Sequence, residues 1–152
     1  MSRVDDAERF FVERYSCSQA VFAAFAPSFG IETSDALRLA SALGGGLRAG
    51  STCGAVLGAL LTLGLARCDE ACTSKSRHDV MDAVDTFHSR FLDRVGSLDC
   101  TGILGYDVRI PEEREIVHEH GLRDSVCLPA VRMAAEILEE LLVDNDTSRR
   151  TP

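Results

Sequence analysis

The 152-residue chain contains no Cys-x-x-Cys and no Cys-x-x-Cys-His, so its six cysteines offer neither a thioredoxin-like site nor an attachment point for c-type haem. It also lacks the GxxxxGK[ST] element, and no strand precedes its glycine-rich stretch, which weakens any reading of that stretch as a phosphate cradle. No Ser-His-Asp set and no pair of carboxylates stands out, because the acids are spread over positions that helical spacing turns toward solvent. Basic residues are few. The 16 Lys and Arg are interspersed among 24 Asp and Glu, giving a net charge of −8, and this excludes nucleic acid and anionic membrane surfaces as partners. The longest apolar stretch, Cys53 to Ala66, has three glycines and falls short of the roughly 18 residues a membrane span needs, so it reads as a buried helix with no membrane insertion. The acids Asp5 and Asp6 stand where an export signal would place its apolar region, and the expected location is the cytoplasm.

What is present is helical periodicity. A chain of this length buries about two-thirds of its unfolded surface as one domain and needs no disulfide or metal to fold. Apolar residues recur at three and four from Val4 to Tyr15. A second helix opens at Ser16-Cys17-Ser18-Gln19 and closes at Pro27 and Gly30. Thr33 or Ser34 caps a short helix to Leu43, and Gly44-Gly45-Gly46 ends it. After a glycine loop reaching Gly50, Ser51 or Thr52 caps a helix to Ala66, and Ser74 or Ser76 opens a long amphipathic helix to Gly96. Ser97 or Asp99 starts one or two turns through Leu104. Residues Arg109 to His120 read as a loop with one turn after Pro111, and Asp124 or Ser125 caps a last helix through Leu141. With no strand alternation, the expectation is an all-α bundle of five to seven helices. It forms a single domain over residues 1–143, followed by a disordered polar tail over residues 144–152.

Four cysteines, Cys17, Cys53, Cys100 and Cys127, fall where these helices begin, close behind a Ser, Thr or Asp. First-turn N–H groups lack intrahelical partners and carry the positive end of the dipole, which favours a thiolate there. Cys53 is the preferred nucleophile on this basis, with Arg48 adding positive charge, whereas Asp99 and Asp124 oppose ionisation at Cys100 and Cys127. Replacing Cys53 with Ser is then expected to abolish thiol reactivity near neutral pH. The plain alternative is a tight helix crossing, permitted by Gly54, Ala55, Gly58 and Ala59, with Cys53 as a small buried residue. The other pair, Cys68 and Cys72, would share a helix face and could bridge or hold one metal. The acids between them raise thiol pKa, and they read as local structure or an auxiliary disulfide. His78, His88, His118 and His120 are the other ligand candidates, and His118 and His120, beside Glu115 and Glu119, read as surface residues.

The element Cys53-Gly54-Ala55-x-x-Gly58 resembles that of the redox-active C_GCAxxG_C_C family. Cys17 in Tyr15-Ser16-Cys17-Ser18-Gln19 is similar to the family's first cysteine, Cys100 in Asp99-Cys100-Thr101-Gly102 to its third, and Cys127 to its fourth. The resemblance covers most of the chain and implies a compact helical protein with a redox role.

Three functions are open. In the first, the four cysteines converge and cycle between dithiol and disulfide, as in a thiol-disulfide oxidoreductase with an unidentified redox partner. In the second, Cys17, Cys53, Cys100 and Cys127 together form a four-thiolate metal site for an iron–sulfur cluster or zinc, although long gaps separate these ligands. In the third, the cysteines only pack and the acidic surface meets a partner protein.

Overall fold

In a computed structural model describing residues 2–148, the chain folds into eight α-helices with no strand among the described residues. They are α1 Arg3–Val12, α2 Cys17–Phe25, α3 Thr33–Leu39, α4 Gly54–Arg67, α5 Ser74–Val95, α6 Cys100–Leu104, α7 Pro111–Glu119 and α8 Leu128–Ser148. The architecture is all-helical as expected, with more helices than the five to seven read from periodicity. Residues Arg109 to His120 account for part of the difference. Pro111 occupies the first turn, where its missing N–H costs nothing, and a nine-residue helix follows in place of a loop. The last helix runs to Ser148, past Asp144, where a disordered tail is expected to begin; residues 149–152 of that tail lie outside the described residues.

Local chemistry sets most of the boundaries. Ser2 and Asp5 form a capping box at α1, and Ser16 and Gln19 form another at α2, each satisfying two N–H groups that the helix leaves open. Thr73 accepts the Ser76 N–H at 3.2 Å to start α5, and Gly96 ends that helix at φ 95°. Thr73 takes the place of Ser74 or Ser76, the caps expected for α5, and other expected caps differ too. Glu32 precedes α3, which stops at Leu39, and Cys53 itself occupies the N-cap of α4, one residue beyond Thr52.

One hydrophobic cluster holds α1, α2, α4, α5 and α8 together. Phe11, Phe25, Phe87, Phe91, Leu63, Ile137 and Leu138 are its largest fully buried side chains, and Phe87 stacks on Phe91 with ring centroids 5.7 Å apart. Within the cluster α2 is buried almost all round: Ala20 through Phe25 are inside, as is Ser18, whose hydroxyl donates to the Ala40 carbonyl at 2.9 Å.

Helix α4 lies unusually close against α2. A Cβ added to Gly58 would come 2.7 Å from the Ser18 carbonyl oxygen and 3.1 Å from the Val21 Cβ, and one added to Gly54 would come 3.0 Å from the Ser18 nitrogen and 3.1 Å from the Cys17 Cβ. The two glycines are thus the contact surface between the helices, and the crossing sets Cys17 against the start of α4.

A Gly58→Ala substitution is expected to destabilise the fold by about 1–3 kcal/mol through overpacking against α2 backbone. Gly64, in the same helix, has nothing within 4 Å of an added Cβ, so Gly64→Ala is expected to stabilise by about 0.5–1 kcal/mol. Urea denaturation midpoints of the two variants check both signs.

Candidate functional site

The α2–α4 crossing, the glycine loop and the turn before α8 enclose a cavity of about 260 Å³ that all four cysteines expected at helix starts line. Three local structures bring them there. Cys17 is the first residue of α2, placed by the Ser16 cap and pressed against Gly54. Cys53 is brought in by a short antiparallel bridge between Thr52 and Asp99, in which the Cys53 N–H donates to the Leu98 carbonyl at 2.7 Å and the Cys100 N–H to the Ser51 carbonyl at 2.7 Å. The same pair of hydrogen bonds therefore positions both Cys53 and Cys100. Cys127 closes a wide helical turn, Arg123–Cys127, that passes into α8 without a cap, so it does not sit at a helix start as its neighbours Asp124 and Ser125 suggest.

The glycine loop is shaped to this cavity. Gly45, Gly46, Leu47 and Arg48 run consecutively in the left-handed region, with φ of 63°, 60°, 60° and 54°. For Leu47 and Arg48 that conformation costs roughly 1–2 kcal/mol each. A Cβ at Gly46 would lie 2.6 Å from the Cys100 Cβ, so the glycine is what lets the loop wall reach that cysteine. Thr101 pins the loop from outside by donating its hydroxyl to the Gly50 carbonyl at 3.0 Å.

The four thiols differ in ionisation. Burial pushes the Cys53 thiol up, although the N–H groups of Ala55 and Val56 at the helix start work against it. Burial likewise pushes Cys100 up to about 12, with the sulfurs of Cys53 and Cys127 and the carboxylate of Asp107 adding to it. Cys17 is raised well above the ordinary thiol value, first because its proton is shared toward Cys127 and then by burial. Cys127 is the one of the four that is lowered, first by its interaction with Cys17 and then by the Arg123 guanidinium, against the opposing effects of burial and Asp124.

The expectation that Cys53 is the thiol most readily ionised rests on the helix-start effect and on Arg48, and burial acts against it. The local helix-start effect operates, but it is outweighed by desolvation in a residue only 6 % exposed. Arg48, the cation expected to help, is an exposed loop residue that does not line the cavity. The cation at the cavity is Arg123. Its guanidinium carbon lies 3.7 Å from the Phe11 ring centroid and Nη2 donates to the Tyr15 carbonyl at 2.7 Å, while Nη1 is buried without a protein acceptor. The Tyr15 bond also ties the turn carrying Cys127 to the residue two before Cys17.

Residues 15–141 match the family model described as "Putative redox-active protein (C_GCAxxG_C_C)", a span that begins just before Cys17 and ends after Cys127. The chain belongs to this family. No curated protein and no solved structure matches it. The C_GCAxxG_C_C element owes its glycines to the α2–α4 crossing, and its cysteines meet at one cavity. Among the described residues no helix is long and apolar enough to cross a membrane.

Among the described residues no three His, Cys, Asp or Glu side chains are grouped closely enough to hold a metal ion, and this includes the four family cysteines. His118 and His120 are exposed at the end of α7, and His78 is exposed on α5 with Nδ1 2.7 Å from the Ser74 carbonyl; only His88 is half-buried, against Phe87. Cys68 and Cys72 do not share a helix face. They flank the turn after α4, at the other end of that helix from Cys53.

Cys127 is expected to be the first of the six thiols alkylated as pH rises toward neutrality, with Cys53→Ser leaving its rate nearly unchanged. Arg123→Met should slow Cys127 alkylation about tenfold near pH 7, the loss that corresponds to roughly one pKa unit. Peptide-resolved iodoacetamide kinetics across pH 6–10 measures both; equal rates in Arg123→Met and the parent protein would contradict the assignment.

Proposed function

We propose that this C_GCAxxG_C_C protein carries out thiol–disulfide exchange at the cysteine cavity, with Cys127 as the attacking thiolate and Cys17 as the resolving thiol. The observation supporting this reading is that the four family cysteines and Arg123 line one cavity, where Cys127 is lowered and Cys17 raised, each mainly by the other. An attacking thiol held below its ordinary pKa, next to a protonated thiol that cannot compete for the same substrate, is the division of labour that two-step exchange requires.

The Cys127 thiolate attacks one sulfur of a partner disulfide, forming a mixed disulfide and expelling the partner's other sulfur as a thiolate, which takes up a proton. Cys17 then gives up its proton and attacks the Cys127 sulfur, forming the Cys17–Cys127 bond and releasing the partner's second thiol. Two thiols are oxidised and one disulfide is reduced. The reverse sequence transfers the disulfide to a dithiol partner. Arg123 contributes in both directions by holding negative charge at Cys127. Cys53 and Cys100, which retain their protons, line the cavity as neutral thiols and keep the site dry.

The competing use of the same sulfurs, a four-thiolate iron–sulfur or zinc site, is tested alongside. Protein purified without oxygen is expected to be colourless and to contain less than about a tenth of an equivalent of iron, zinc or sulfide. Titration against a glutathione redox couple is expected to show a two-electron transition that Cys127→Ser and Cys17→Ser each remove and Cys53→Ser retains. Stoichiometric iron with sulfide, or zinc, lost together in any of the four Ser variants, would overturn the exchange reading in favour of the metal one. Thiols inert to the couple would leave the cysteines with packing alone.

A further inference from the structure

The second cysteine pair lies outside the family signature and away from the cavity. Cys68 caps the C-terminus of α4, and Cys72 stands four residues on, in the turn leading to α5. Their sulfurs are 3.4 Å apart. A fourteen-residue helix, about 21 Å long at 1.5 Å per residue, separates this pair from Cys53, so neither sulfur can exchange directly with the cavity cysteines.

The turn is built so as to hold the sulfurs together. Cys72 takes a left-handed backbone, φ 47°, that side-chain-bearing residues rarely adopt, and its N–H donates to the Asp69 carbonyl at 3.0 Å. The Asp69 carboxylate accepts the Thr73 N–H at 3.0 Å and the Thr73 hydroxyl at 2.7 Å, closing the turn across its base. Cys68 is half-buried, with the Ser76 hydroxyl 3.7 Å from its sulfur, whereas Cys72 is exposed. The pair thus consists of one accessible thiol and one sheltered behind it. With no third His, Cys, Asp or Glu grouped with them among the described residues, they do not make a metal site.

We infer that Cys68 and Cys72 form a second, surface redox site that takes up a disulfide from small-molecule disulfides independently of the cavity. The exposed Cys72, as its thiolate, attacks a small disulfide RSSR, forming a mixed disulfide and releasing RS⁻, which is protonated to RSH. The Cys68 sulfur loses its proton, attacks the Cys72 sulfur and expels the second RSH. The net change oxidises two protein thiols to one disulfide and reduces RSSR to two RSH. Closure brings sulfurs now 3.4 Å apart to a bonded separation of about 2.05 Å, a movement that side-chain rotation in an exposed turn can supply. The Cys72 thiol is raised, first by Cys68 and then by the Asp69 charge with Arg77 opposing, so the first step quickens as pH rises above neutrality.

Trypsin isolates the pair, because cleavage after Arg67 and Lys75 leaves Cys68 and Cys72 in one peptide with no other cysteine. The full-length protein is incubated with glutathione disulfide at pH 8, remaining thiols are blocked, and the peptides are weighed. The parent protein is expected to yield the 68–75 peptide lacking two hydrogens and carrying no glutathione. Cys68→Ser should instead trap glutathione on Cys72 as an adduct at least tenfold more abundant than in the parent. The inference is overturned if the parent peptide retains two free thiols, or if its Cys72 holds glutathione as persistently as the Cys68→Ser variant. The cavity cysteines report on separate peptides, so failure of one site does not obscure the other.

Discussion

Everything at the cysteine cavity depends on how closely α4 can approach α2. The approach is limited by backbone, since the atoms opposite Gly54 and Gly58 are main-chain atoms of Ser18 and Phe22 as well as side-chain carbons of Cys17 and Val21. Side chains can rotate away from an intruding methyl, but a helix backbone held in the core by Val21, Phe22 and Phe25 cannot. The spacing of Gly54 and Gly58, one helical turn apart, therefore reflects a packing requirement. Its chemical result is indirect: with the two helices in contact, the first residue of one and the cap of the other, Cys17 and Cys53, face the same small space.

That space then sorts the thiols by how each is solvated. Burial favours the protonated form of all four sulfurs. A single ionised sulfur needs both a donor and a charge to offset that cost. Cys17 supplies the donor to Cys127 and Arg123 supplies the charge, so the negative charge is concentrated on one atom while the other three stay neutral. Arg123 can do this because it is itself fixed, stacked on Phe11 and bonded to the Tyr15 carbonyl. The strained left-handed run at Gly45–Arg48 belongs to the same construction. It brings a side-chain-free wall against Cys100, and such strain persists only where the surroundings hold it.

Features governed by near neighbours were legible from residue order. The capping box at Ser16 and Gln19 placed Cys17, the small residues of α4 announced a close crossing, and the cysteine pattern named the family. Features governed by distant partners were not. Whether a helix-start cysteine ionises is a balance between first-turn N–H groups, which are local, and desolvation, which depends on what packs over the site; for Cys53 the second effect prevails. The role of Arg123 is not encoded locally, because its partner Tyr15 is 108 positions away and no short motif specifies such a pairing. Helix α7 shows in the residue order only as one turn after Pro111, because its apolar residues Ile116 and Val117 are adjacent and do not recur at helical spacing; the proline start and acidic first turn are its local signals.

The central claim is that Cys127 and Cys17 are the reacting pair within a cavity lined by four family cysteines. Limited oxidation with one equivalent of diamide, followed by trypsin and mass mapping under non-reducing conditions, tests it directly, because these two cysteines lie on different tryptic peptides. The account predicts a Cys17–Cys127 cross-link as the first cavity disulfide to form, still forming when Cys53 is replaced by Ser. A first cavity cross-link joining Cys53 to Cys100, with Cys127 left free, would contradict it.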